Sequence, residues 1–87
     1  MMKEELIERP VLEVPVHCGK VSKADIRRLT NATWYELELA MKAISETDKT
    51  FEERYLNLKK AWSLPEDMAM KFVMHLYPGY RIRVVLT

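Results

Sequence analysis

The chain has 87 residues, enough for one folded core and too few for two, and its 48% hydrophobic and 31% charged content excludes a disordered chain. A single cysteine, Cys18, excludes an internal disulfide, and no apolar run approaches the roughly 18 residues of a membrane span, so a cytoplasmic setting without membrane contact is expected. The formal net charge of +1 hides an uneven distribution: residues 17–32 carry Lys20, Lys23, Arg27 and Arg28 against Asp25, and residues 33–50 carry Glu36, Glu38, Glu46 and Asp48 against Lys42 and Lys49.

Residues 1–10 read as a polar N-terminal segment that can stay disordered, and residues 11–87 as one compact domain. In "VLEVPVH" (11–17), Leu12, Val14 and Val16 share one side, but Pro15 has no N–H to donate and demotes the run to an edge strand. Helix starts are then marked by Ser or Thr followed three residues later by Asp or Glu, at Ser22/Asp25, Thr33/Glu36, Thr50/Glu53 and Ser63/Glu66. In each pair the hydroxyl can accept from an early helical N–H, while the carboxylate favours the positive end of the helix dipole.

The first helix is expected over Lys23–Thr30, short and basic. The second, from Trp34 to about Ser45, draws one apolar stripe from Trp34, Leu37, Met41 and Ile44, and the third, Phe51–Trp62, repeats it with Phe51, Tyr55, Leu58 and Trp62. The fourth begins in "SLPED", with Pro65 in its first turn, and stops at Pro78 and Gly79. Its apolar residues, Met68, Phe72, Val73 and Leu76 among them, wrap more than one face, which suits a central helix or one with a second surface for a partner. "YRIRVVLT" (80–87) alternates Tyr80, Ile82, Val84 and Leu86 with Arg81, Arg83, Val85 and Thr87 and is the more convincing strand. The expected class is α+β, mainly helical, with about four short helices and a small β-ribbon from the N- and C-terminal segments.

Chemistry is sparse. Cys18 and His17 are adjacent on a strand, so their side chains should point to opposite faces, and His75 sits in the last turn of the fourth helix, where it suits the dipole. No nucleophile, base and oxyanion set, no paired metal ligands and no Gly-rich phosphate loop is present, so neither catalysis nor a cofactor or metal is expected. Residues 22–45 have the outline of a helix-turn-helix, with Lys20, Lys23, Arg27 and Arg28 near phosphates. Its reading helix, however, would present Glu36 and Glu38 to the duplex, and it has no Arg, Asn or Gln in its first two turns.

The favoured reading is a non-enzymatic protein-binding adaptor, inhibitor or regulatory subunit, acting on another protein or on itself as a homodimer. Binding would use the exposed strand edge and the outer surface of the fourth helix, with Met70, Val73, Tyr77, Arg81, Arg83, Val85 and Leu86 as contact residues. A small DNA-binding transcriptional regulator, with nucleic acid met by the basic residues 20–28, is the alternative.

Overall fold

The computed structural model describes residues 9–87, so residues 1–8 of the polar N-terminal segment lie outside the described residues. The elements run β1 (Val11–Val16), β2 (Lys20–Ser22), α1 (Lys23–Thr30), α2 (Trp34–Thr47), α3 (Lys49–Leu58), β3 (Ser63–Pro65), α4 (Glu66–Leu76) and β4 (Arg81–Leu86). The class is α+β, mainly helical, with two small sheets.

Two helix starts follow the hydroxyl signals. Ser22 Oγ accepts from Ala24 N–H at 3.1 Å to begin α1, which closes at Asn31 in a left-handed conformation (φ 53°). Thr33 and Glu36 make a full capping box at the start of α2, with Glu36 N–H on the Thr33 hydroxyl at 3.1 Å and Thr33 N–H on the Glu36 carboxylate at 2.8 Å.

The other two starts differ. Helix α3 begins at Lys49, because Asp48 N–H ends α2 on Ile44 O (2.9 Å) while the Asp48 carboxylate accepts from Phe51 N–H at 3.0 Å. One residue closes one helix and opens the next, which leaves Thr50 inside the first turn. Lys71 donates to the same carboxylate at 2.5 Å, and these hydrogen bonds, led by that from Lys71, hold the Asp48 pKa below its ordinary value. Before α4, Ser63 lies in a strand and Pro65 takes the cap position without a side-chain bond. Glu66 N–H instead donates to the Gly19 carbonyl at 3.0 Å, so a turn distant in sequence does the work of the cap.

That turn joins β1 to β2. His17 and Lys20 exchange both backbone hydrogen bonds (2.8 and 3.0 Å) around Cys18 (φ 54°) and Gly19 (φ 76°). Positive φ at both central residues is the type I′ geometry whose twist suits a hairpin; Gly19 adopts it freely, whereas Cys18 is a rare residue there. β2 then pairs antiparallel with β3, setting Val21 opposite Leu64, both fully buried. Three-residue strands fall below the length at which alternation can be read, and neither was expected from sequence.

The terminal segments do form a ribbon, and it is parallel: β1 pairs with β4 from Val11↔Arg81 to Val16↔Leu86. Arg81 N–H donates to Pro10 O (2.9 Å) and Thr87 N–H to Val16 O (3.0 Å). In a parallel pair this alternation turns the backbone groups of residues 10, 12, 14 and 16 toward β4 and those of 11, 13 and 15 away. Pro15 therefore occupies a position where an N–H would have no partner in β4, which is how a proline sits inside a paired strand.

The core is closed by fully buried Val14, Val16, Val21, Ile26, Phe51, Leu64, Met68, Phe72 and Val73. Helix α4 is central, touching α1, α2, β2 and β3. Leu37, Met41 and Ile44 of the α2 stripe and Phe51 and Tyr55 of α3 are buried as their spacing implies, but Trp34 is 45% and Trp62 78% exposed. The two helices fold back on each other at Asp48, and α2 has 14 residues against 10 in α3, so the first turn of α2 overhangs the end of its partner. Trp62 falls beyond α3 altogether.

Candidate functional site

Two surface features stand out: the outer edge of β4, expected from sequence, and a cleft at the open end of the α2–α3 hairpin, not expected.

At the edge, Arg81, Arg83, Val85 and Thr87 direct their backbone groups to β1, so those of Ile82, Val84 and Leu86 face outward. No described strand pairs with that side. Its side chains are unusually apolar for an open margin: Leu86 is 79% exposed, and Val84 and Val85 also reach solvent. Arg83 forms an ion pair with Glu13 across the ribbon, while Arg81 is exposed.

The helix residues proposed with this edge are arranged differently. Val73 is fully buried in the core and presents nothing to a partner, since α4 is central rather than peripheral. Met70 is half-buried against the core, and Met74, 56% exposed, is the methionine that faces out. Tyr77 is half-buried: its hydroxyl donates to Thr30 O at 3.0 Å, and its ring meets Tyr80 edge-on at 4.8 Å. It ties the end of α4 to the end of α1.

The basic residues 20–28 do not form one patch. Lys20 is exposed on β2, Arg28 is paired with Asp25, Arg27 lies over the Trp34 ring at 5.2 Å, and Lys23 turns inward. The Lys23 ammonium donates to Lys59 O at 2.8 Å and lies 5.8 Å from the centre of the Tyr55 ring; burial lowers its pKa, against the opposing pull of Glu38.

Lys23 and Tyr55 line the second feature, a cleft of about 310 Å³ walled by Trp34 and Trp62, with Leu37 and Met41 as apolar lining and Lys59 and Lys60 beside it. Trp62 O accepts the Lys23 N–H at 2.8 Å, fixing the loop that carries Trp62 to the start of α1. Tyr55 donates to Glu38 Oε2 at 3.1 Å, and burial, followed by this contact, pushes its pKa up to about 12 from 10. A raised pKa means that the fold favours the neutral phenol, so this contribution to stability is complete below pH 10 and is lost as pH rises through about 12. Thermal melts from neutral to alkaline pH should therefore show a loss in this window that Tyr55→Phe removes.

The sequence carries a hint of this cleft in "KKAW" (59–62), two cations beside an indole, but helical spacing from Phe51 places Trp62 on the buried stripe and masks it. Val84, an expected member of the strand alternation but not an expected contact residue, reaches solvent at the same edge as Leu86. Cys18 is exposed at the hairpin turn, and His17 approaches Thr87 O at 3.4 Å. Among the described residues no group of three His, Cys, Asp or Glu side chains gathers as a metal site. Compared with protein-family models, curated proteins and solved structures, the chain matches none of them.

Proposed function

We propose that the protein is a non-enzymatic binding module, an adaptor, inhibitor or regulatory subunit, that recognises its partner by strand addition at the outer edge of β4. The observation that carries this reading is the row of outward backbone groups at Ile82, Val84 and Leu86, bordered by exposed apolar side chains. Main-chain hydrogen bonds supply affinity in such pairing and the flanking side chains supply register. Natural edges are normally blunted by charge or proline; β1 has Pro15 on its outer side, whereas β4 has no such residue at 82, 84 or 86.

A second copy fits this edge. With Val84 on a two-fold axis, an antiparallel pair sets Ile82 against Leu86, Arg83 against Val85 and Arg81 against Thr87, so no like charges meet directly. The result would be a four-stranded sheet in the order β1-β4-β4-β1.

Two proline substitutions test this. Val84→Pro removes an outward N–H and leaves the β1 ladder whole, so self-association in sedimentation equilibrium should vanish while the far-ultraviolet spectrum is kept. Val85→Pro removes an inward N–H and should lower Tm as well. Association that survives Val84→Pro, or a wild-type chain that stays monomeric, would reject the homodimer.

A further inference from the structure

We infer that the cleft between Trp34 and Trp62 is a binding site for a nucleotide, taken either free or as an unpaired unit of a single-stranded nucleic acid. It lies apart from the β4 edge and does not depend on the strand-addition reading.

The argument begins with the two indoles. Trp34 and Trp62 are the only tryptophans in the chain, they come from helix α2 and from the loop between α3 and β3, and both remain substantially exposed at one cleft. A large aromatic side chain left in water forgoes the burial that normally justifies it, and two at one opening form a surface on which a flat ring can stack.

Charge narrows the class of ligand. Lys23, Lys59 and Lys60 line the same cleft against the single carboxylate of Glu38, and the Arg27 guanidinium lies against the Trp34 ring. An aliphatic peptide would leave these cations unused, and a neutral sugar would stack without needing them. A nucleotide uses both features, its base against an indole and its phosphate near an ammonium. Glu38 Oε2 already accepts from Tyr55, and the other oxygen of that carboxylate could accept from the exocyclic amine of a base. A volume of about 310 Å³ is at the small end for ligand sites and suits one nucleotide rather than a longer segment enclosed whole. Bases stacked in a duplex do not offer a free face, so the unpaired form is the one accommodated.

Because both tryptophans line the cleft, intrinsic fluorescence reads the site directly. The full chain should be titrated at low and high salt with adenosine monophosphate, a single-stranded adenylate dodecamer, a duplex of the same length and a polyglutamate peptide. The expected result is quenching by the dodecamer that weakens steeply with salt and exceeds that by duplex or peptide. Comparable affinity for the mononucleotide would identify the free nucleotide as the ligand; much weaker affinity would identify the single strand. Trp62→Ala should lower affinity on the order of 10- to 100-fold at an unchanged Tm, with Trp34 emission as the remaining signal. Lys59→Glu with Lys60→Glu should flatten the salt dependence, whereas Val84→Pro should change neither. The inference is overturned by the absence of quenching at low salt, by polyglutamate binding as well as the dodecamer, or by full affinity in Trp62→Ala.

Discussion

Phe72→Ala is expected to cost about 3–5 kcal/mol, the range for removing a buried aromatic ring whose space the surroundings fill only in part. Phe72 is fully buried on α4, the helix that meets α1, α2, β2 and β3. A domain of this size has a total stability of only about 5–10 kcal/mol, so a loss of at least about 12 °C in Tm is expected. Met74 supplies the control: it lies two residues further along the same helix but is 56% exposed, and Met74→Ala should change stability by less than about 0.5 kcal/mol. Thermal and urea melts of the two variants check the central position of α4. Equal melting would refute it.

The second large effect is expected at a position that looks minor in the sequence. Leu64 is the middle residue of the three-residue strand β3, lies opposite Val21 and is fully buried, so Leu64→Ala should cost about 2–5 kcal/mol. Leu56→Ala, at a residue 65% exposed on α3, removes the same atoms and should cost less than about 0.5 kcal/mol. The same contrast holds against Trp62, a larger side chain only two residues before Leu64, whose removal should leave the melt unchanged. Chemical denaturation of the three variants side by side measures this ordering. A Trp62→Ala variant less stable than Leu64→Ala would place the indole in the core and remove the cleft.

Local signals account for what could be read in advance. Ser22 and Thr33 announce α1 and α2 because a cap is satisfied within a few residues of itself, and Leu37, Met41 and Ile44 face inward because helical spacing puts them on one stripe. The terminal ribbon was legible from alternation at both ends of the chain. The cap signal failed where competition decided the outcome: Asp48 outranks Thr50 because it serves two helices and a lysine on a third, and Ser63 is drawn into a strand by pairing with β2. Of the candidate contacts, Leu86 and Arg81 are exposed as expected, whereas Val73 is buried. A continuous apolar surface on a helix does not reveal which part of it neighbouring elements will cover.

Residue order alone determined the identity of the mainly helical α+β class, two helix starts, the principal inward stripes and the presence of a strand at residues 81–86. All of these depend on interactions that span a few residues or on a regular period. Tertiary structure alone decided the parallel direction of the ribbon, the outward side of Pro15, the Val21–Leu64 pairing and the meeting of Lys23, Trp34, Tyr55 and Trp62 around one opening. Those outcomes turn on unequal helix lengths folded about Asp48 and on contacts between distant segments, where the free energy of burial is shared among many residues and no short stretch carries the choice.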